Sequence, residues 1–271
     1  MNLAIFRKAV FDQRWVLLIC GLGATALPIL LMHAFVSVPW EQLSGFLELP
    51  LIKTVIQVLT GADLGEVFRI DALGAFAFVH PIMLALGWAC MITGATRVLA
   101  GEIDTGTADL LLALPATRIS VYTSVTLSVL ICGPVMAGAA WLGVWIGSRT
   151  AGLPEPIDVW LLRYVAINSA AMLLAVGGSA SLISAVSSRR GKAVGVTVAI
   201  LLCSFLLNWV AAFWRPAETL AFAGILRYFR PYVILRESRL QIGDVAVLLV
   251  VAAITWSLGA FLFCRRDIHT S

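Results

Sequence analysis

Six long apolar runs restrict the folds that this chain can adopt. Each run lacks Asp, Glu, Lys and Arg over 20 to 30 residues. A helix of about 20 residues crosses the roughly 30 Å hydrocarbon core of a bilayer, so each run is long enough to span a membrane. The runs are Trp15–Trp40, Ala72–Thr96, Ile119–Ser148, Tyr164–Ser188, Ala193–Trp214 and Val245–Cys264.

The composition agrees with a chain that is surrounded by lipid. Hydrophobic residues make up 61% of the 271 residues and charged residues 13%, whereas soluble domains carry about 25% charged residues. The runs do not alternate polar and apolar residues, so helices satisfy the backbone better than barrel strands. We predict an all-α integral membrane protein with six transmembrane helices. We find no internal repeat or linker, so one membrane domain should cover residues 1–271.

Lysines and arginines near the runs predict the orientation of the chain. If the N-terminus is cytoplasmic, ten of them lie on the cytoplasmic side and nine on the other side. Five of the nine lie in one loop, residues 215–239, and without that loop the balance favours cytoplasmic N- and C-termini. We expect a multi-pass protein of a cell membrane, in particular a bacterial inner membrane. The segment 215–243 contains apolar stretches and is expected to be an external or re-entrant loop.

The first fourteen residues form an amphipathic segment before the first run. Leu3, Phe6 and Val10 share one helical face, and three cations lie in the same segment. This pattern predicts a helix over residues 1–14 that lies in the membrane interface. The alternative is a frayed cytoplasmic tail.

Residues 97–118 are the one long mixed polar and apolar segment between two runs. Thr105, Gly106 and Thr107 supply a helix break and a candidate N-cap, and Pro115 ends the helix that follows. The side chains that recur at helical spacing are Ile103, Thr107, Leu110, Leu111 and Leu114. The segment therefore predicts a short amphipathic helix across the mouth of the bundle, with acidic residues suited to contact a partner.

The search for catalytic and metal sites finds little. No GxxxxGK[ST] motif occurs, so the chain does not bind ATP by a P-loop. The five cysteines include no CxxC pair, which argues against a disulfide framework or a thiolate metal site. Residues 177–181 (GGSAS) are the nearest match to a nucleophile elbow, but small residues in a span are better explained by close helix packing.

His80 is the one ionisable candidate that we single out within a span. Pro81 should bend the second span, and His80 is expected to bond the carbonyl groups that the bend leaves without a partner. An ionisable group inside a membrane is a functional candidate. Asn168 and Asn208 are expected to form hydrogen bonds between helices.

Seven residues after the second run form a spaced pattern, E-x-x-x-G-T-x-x-x-L-L-x-x-P-x-x-R. They are Glu102, Gly106, Thr107, Leu111, Leu112, Pro115 and Arg118. This pattern resembles the loop after span two in the ABC-2 family of ABC-exporter permeases. The ending Arg265-Arg266-Asp267-Ile268, the six-span topology and the amphipathic entrance segment are also similar to that family.

The resemblance implies that residues 102–115 form a cytoplasmic coupling helix between spans two and three. In the family this helix docks in a groove on an ATPase subunit. The implied coupling residues are Glu102, Gly106, Thr107, Leu111, Leu114, Pro115 and Arg118. The implied partners are two copies of a cytoplasmic ABC ATPase and a second permease chain, identical or similar. ATP and Mg would bind to the ATPase, with no cofactor on this chain and no nucleic acid as partner.

Resemblance to the G-subfamily of ABC exporters implies that spans two and five face the axis of a permease dimer. In this chain the implied pathway residues are Phe76, Phe78, His80, Phe205, Asn208 and Trp209. An aromatic and nearly uncharged pathway suits amphipathic or apolar cargo.

Two other functional classes compete with the exporter permease. A secondary transporter or channel would use His80 in span two, although such carriers need ionisable groups within spans and usually show repeated halves. An intramembrane enzyme would need a nucleophile and a base, and the spans lack a credible set. The pattern at residues 102–118 favours the permease.

Overall fold

The computed structural model describes residues 2–38, 70–106, 116–211 and 214–266, and these residues are mainly helical. The helices are α1 (Leu3–Ser37), α2 (Ile70–Val79), α3 (Pro81–Asp104), α4 (Arg118–Thr150), α5 (Leu162–Val186), α6 (Arg190–Val210), α7 (Arg215–Leu220), α8 (Pro231–Glu237) and α9 (Ile242–Arg265). Two 3-10 turns, Ala221–Ala223 and Ile225–Tyr228, lie between α7 and α8.

Six of the described helices are long and apolar enough to cross a membrane: α1, α3, α4, α5, α6 and α9. The described residues contain no strand. The prediction of an all-helical protein with six candidate spans is therefore confirmed. The helical spacing of the apolar residues from Leu47 to Leu59 also predicts a short helix between spans one and two, and these residues lie outside the described ranges.

α5 lies at the centre of the bundle. It packs against α3, α4 and α9, and α1 packs along α4. α3 and α5 are the most enclosed of the spanning helices, whereas α1, α6 and α9 bury the smallest share of their apolar surface within the chain. In a bilayer the exposed surfaces of these three helices are covered by lipid or by a partner.

Glycines bring the helix backbones close together. A Cβ atom on Gly178 of α5 would lie 2.8 Å from the carbonyl oxygen of Ala252 in α9. A Cβ atom on Gly177 would lie 2.4 Å from Cε of Met91 in α3. Real Cβ atoms do not approach other atoms this closely, so the packing role predicted for residues 177–181 is confirmed.

α1 is one continuous helix, so the prediction of a separate helix over residues 1–14 is wrong in its boundary. Its 35 residues extend about 52 Å, which exceeds the roughly 30 Å hydrocarbon core. The face formed by Leu3, Phe6 and Val10 is also not the buried one. Ile5 and Ala9 are buried against other helices, whereas Leu3 is 71% exposed. That the first turns lie in the membrane interface stays a prediction.

The second span is broken at His80. α2 ends at Val79 and α3 begins at Pro81, because proline suits the first position of a helix and restricts the residue before it. Nδ1 of His80 accepts a hydrogen bond from the amide of Ile82 at 3.3 Å. The bend predicted at Pro81 is thus a complete break. The expectation that His80 bonds a carbonyl is wrong, since its ring caps the start of α3.

The two ends of the bundle differ in chemistry. The first and last described residues, Asn2 and Arg266, lie at one end, where the amide of Asn2 donates to Oγ of Ser124 at 2.8 Å and Arg118 donates to the carbonyl of Arg266. We call this end, where α1, α4 and α6 begin and α3, α5 and α9 end, the N-terminal end. The opposite end carries residues 214–241, and we call it the loop end. Trp160 and Trp214, which are 68% and 59% exposed, lie at the loop end, as expected for side chains in a membrane interface.

Candidate functional site: the N-terminal end of the bundle

A glycine ends α3 at the start of the predicted coupling segment. Gly106 has a φ of +71°, a conformation that other residues adopt only with strain. Its amide donates to the carbonyl of Ile103 at 3.2 Å, and the amide of Thr105 donates to Gly101 at 3.0 Å. α3 therefore ends at Thr105 and Gly106, within the break that the sequence predicts.

Ile103 lies within α3, before the left-handed Gly106, so it does not belong to a helix that begins after the break. That part of the predicted amphipathic face is wrong. The rest of the predicted coupling helix lies outside the described residues. Of the residues named for coupling, Thr107, Leu111, Leu114 and Pro115 lie there.

The last turns of α3 are tied to α1 by charged groups. Nζ of Lys8 lies 3.2 Å from Oε1 of Glu102 and 3.4 Å from Oδ2 of Asp12. Nη1 of Arg97 donates to the backbone carbonyl of Asp12 at 2.9 Å. α1 and the end of α3 are therefore joined by two contacts, through Lys8 and through Asp12, which lie one turn apart on α1.

Asp104, the last residue of α3, contacts the start of α6. Its Oδ2 accepts a hydrogen bond from the amide of Arg190 at 3.2 Å. Amide groups at the start of a helix lack partners within the helix, and the helix dipole favours a carboxylate there. Asp104 thus binds the first residue of α6, which is the fifth candidate span.

Arg118 and Arg266 anchor the other side of the segment. The guanidinium of Arg118 donates to the carbonyl of Arg266. Arg266 in turn donates to the carbonyls of Ala185 and Ser187, at 3.0 and 2.9 Å, and to Oγ of Ser188 at 2.7 Å. Its guanidinium satisfies carbonyl groups at the end of α5, and burial lowers the pKa of Arg266 from its ordinary value.

The residues before and after positions 107–115 are therefore held at the same end of the bundle. Glu102 contacts α1, Asp104 contacts α6, and Arg118 contacts the end of α9. Sequence reasoning named Glu102 and Arg118 but not their partners Lys8 and Arg266. The sequence did predict that lysines and arginines gather on the cytoplasmic side of the spans. That prediction does not say which cation contacts which acidic residue.

The predicted pathway residues occupy different environments. The rings of Phe76 and His80 meet edge to face, with centroids 5.6 Å apart. Phe78 is 1% exposed within its own chain, and its contribution to a pathway stays a prediction. α2 packs against α5 and α8, whereas α6 packs against α3 and α5.

On α6, Phe205 and Asn208 are half-buried. Trp209 is 37% exposed. One chain by itself therefore does not show an enclosed pathway between these three residues and the Phe76–His80 pair. The contribution of these five residues (Phe76, His80, Phe205, Asn208 and Trp209) to a pathway stays a prediction.

At the loop end, Asn168 holds the segment between α7 and α9 against the bundle. Its Nδ2 donates to the carbonyl of Tyr228 at 3.0 Å, and its Oδ1 accepts the amide of Arg230 at 3.3 Å. Asn168 is 1% exposed, so these bonds satisfy a buried amide. Its partner is the loop and not another spanning helix, which corrects the sequence expectation.

The same loop contains buried apolar residues and a polar cluster around Glu237. Leu226 and Ile234 belong to the main core, so the segment packs into the bundle from the loop end. Hydrogen bonds from Gln241 and Arg239 hold the pKa of the Glu237 carboxyl below its ordinary value. Whether this segment re-enters the membrane stays a prediction.

Metal binding receives no support in the part of the chain that the structure describes. Those residues contain no group of three or more His, Cys, Asp or Glu side chains that could hold a metal ion. Cys20, Cys90 and Cys132 are buried and carry free thiols.

Comparison with known families gives a match over nearly the whole chain. A family model described as "ABC-2 family transporter protein" matches residues 10–268. This range includes most of α1 and all the later helices. A comparison with curated proteins finds no match.

Proposed function

Because the chain belongs to the ABC-2 family of transporter proteins, we propose that it is the permease subunit of an ATP-driven exporter. The family consists of membrane permease subunits that lack an ATPase domain and function with ATPase subunits. In our proposal the ATPase docks at the N-terminal end, on the segment between α3 and α4.

The observation that carries this proposal is the set of contacts on either side of residues 107–115. Before the segment, Gly106 turns the chain out of α3 while Glu102 and Asp104 contact α1 and α6. After it, Arg118 contacts the chain end beyond α9. A push on the segment would therefore reach three spanning helices through direct hydrogen bonds, which suits a rigid-body movement of the bundle.

A second permease chain would complete the transport pathway. Leu202, Leu206 and Trp209 form an exposed face of α6, and resemblance to the G-subfamily of ABC exporters implies that this span lies near a dimer axis. We propose that this face meets the partner permease, with Phe205 and Asn208 beside it. The cargo would be amphipathic or apolar, because the nominated side chains are aromatic and uncharged.

The test is co-purification with the ATPase. The tagged chain is isolated from its native membrane, bound proteins are identified, and vanadate-sensitive ATP hydrolysis is measured. We expect a stoichiometric ATPase whose retention falls when Glu102→Ala is introduced, because that change removes the carboxylate that meets Lys8. Glu218→Ala, an exposed acid in α7 at the loop end, is the control and should leave retention unchanged.

A chain that purifies without an ATPase, or equal retention in the two variants, would argue against docking at the N-terminal end. The secondary transporter that depends on His80 would then be reconsidered. No observation favours that alternative at present, because the His80 ring is used to cap α3 and Asp244, the acid in the first turn of α9, is paired with Arg230.

A further inference from the structure

A groove on the outside of the bundle carries chemistry that the proposed function does not use. Its volume is about 540 Å³, which is within the range of about 300–1,000 Å³ for small-molecule sites. Its walls include Ser179 of α5, Ile200, Cys203 and Leu207 of α6, Ile225 of the loop, and Val251 of α9. The lining is mainly apolar.

The groove and the proposed dimer face lie on different sides of α6. Cys203 and Leu207 are one turn apart and both line the groove. Trp209 follows Cys203 by six residues, which separates the two side chains by about 120° around the helix axis. The groove is therefore separate from the face formed by Leu202, Leu206 and Trp209, whereas Asn208 lies one turn from the groove residue Ser204.

The dimensions of the groove suit one acyl chain. Val196 and Leu207 line its two ends along α6. Eleven residues of helix span about 16 Å, which is close to half of the roughly 30 Å hydrocarbon core. The groove thus extends over the depth of one leaflet and ends at the loop.

One polar atom in the groove wall lacks a partner. Ser204 is 8% exposed, and its Oγ forms no hydrogen bond with any described residue. A buried hydroxyl without a partner costs free energy, so an acceptor from an occupant would stabilise it. The ester carbonyl of a glycerolipid is such an acceptor, and an apolar face of a second copy would not supply one.

Two cations lie close in sequence to residues at the loop end of the groove. Arg227 lies two residues after Ile225, and Arg215 begins α7; both are exposed. Within the described residues neither guanidinium has an ion-pair or hydrogen-bond partner. The exposed Trp214 beside Arg215 indicates the height of the lipid headgroups. Two arginines at this height complement an anionic phosphate.

We propose that the groove binds one anionic glycerophospholipid, with an acyl chain along α6, an ester carbonyl at Ser204 and the phosphate at Arg227. The lipid is a bound component of the membrane-embedded chain. This site does not depend on an ATPase partner.

The test uses the chain in lipid nanodiscs with a phosphatidylglycerol that carries a diazirine in one acyl chain. After illumination, labelled peptides are mapped by mass spectrometry. We expect label on residues 196–207, displaced by unlabelled phosphatidylglycerol more readily than by phosphatidylcholine. Arg227→Gln should lower this preference about five-fold, the expected effect of one arginine near an anionic headgroup. Arg236→Gln, an exposed arginine in α8, should keep the preference.

A second pair of variants tests whether a larger side chain in the groove excludes the lipid. Ile200→Trp fills it and should reduce the label on α6, whereas Leu202→Trp on the other face should not. Label spread equally over α1, α6 and α9, with no preference between the two lipids, would mean ordinary surrounding lipid and overturn the proposal. A bismaleimide cross-link between Cys203 of two copies, without lipid label, would assign the groove to a second copy and also overturn it.

Discussion

Arg230 and Asp244 form an ion pair in which Nη2 and Nε of the arginine both donate to Oδ2 of the aspartate, at 2.6 and 2.8 Å. The Asp244 side chain is 11% exposed and lies in the first turn of α9. The backbone amide of Arg230 is at the same time bound by Asn168 of α5. One loop residue thus fixes the start of the sixth span relative to the centre of the bundle.

Arg230→Gln should destabilise the folded chain by about 1–3 kcal/mol, because it leaves a mostly buried carboxylate without its cation. The free energy of unfolding can be followed by denaturation in mixed micelles. Arg239→Gln is the matched control, since the ion pair of Arg239 with Glu237 is exposed and solvent weakens it. Equal losses in the two variants would contradict a structural role for the Arg230–Asp244 pair.

Asn168→Ala should loosen the loop between α7 and α9. The change removes both hydrogen bonds to the loop backbone, so local opening should become about tenfold more frequent. Limited trypsin digestion in detergent micelles measures this as faster cleavage after Arg227, since the bond after Arg230 precedes Pro231 and resists trypsin. Asn208→Ala serves as the control, because its side chain forms no hydrogen bond with another described residue, and its cleavage rate should match that of the unmodified chain.

Gly106→Ala should weaken retention of the ATPase and cost about 1–2 kcal/mol, because an alanine at a φ of +71° is strained. Gly152 has a φ of +66° and lies after α4 at the loop end. Gly152→Ala should cost a similar free energy of unfolding but leave ATPase retention unchanged. Retention is measured by co-purification, and stability by thermal unfolding of the same samples. A parallel loss of retention in both variants would indicate a general effect of instability.

Gly143→Ala should destabilise the contact between α1 and α4 by about 1–3 kcal/mol. A Cβ atom there would lie 2.2 Å from the carbonyl oxygen of Thr25, and a helix backbone cannot move aside as a side chain can. Gly138→Ala on the same helix meets no atom within 4 Å, so it should be neutral or slightly stabilising. Thermal unfolding of the two variants gives the comparison, and equal melting temperatures would rule out tight packing at Gly143.

The apolar runs predicted the spans well because a bilayer imposes a local requirement. A run of about 20 apolar residues satisfies its backbone as a helix whatever lies beside it. The boundaries were less predictable. The start of the first run, just after Arg14, did not mark a helix start, because helical hydrogen bonding continues through charged residues once the nearby surface is no longer hydrocarbon.

The candidate site was predictable only where one residue decides the local backbone. Gly106 marks the end of α3 because glycine favours the left-handed conformation, and Pro81 marks the start of α3 because proline restricts the residue before it. The role of His80 was predicted wrongly because two backbone groups near the break could have bonded its ring. The sequence does not say which of them lies within reach.

The sequence by itself determined the membrane class, the six spans and the break before the coupling segment, since each follows from short-range chemistry. The tertiary structure alone decided that Lys8 meets Glu102, that Asp104 holds the start of α6, and that Arg230 pairs with Asp244. It also decided that a groove with an unbonded Ser204 hydroxyl runs beside α6. These relationships join residues far apart in the chain, and they depend on which helices pack side by side, which apolar runs of similar composition do not specify.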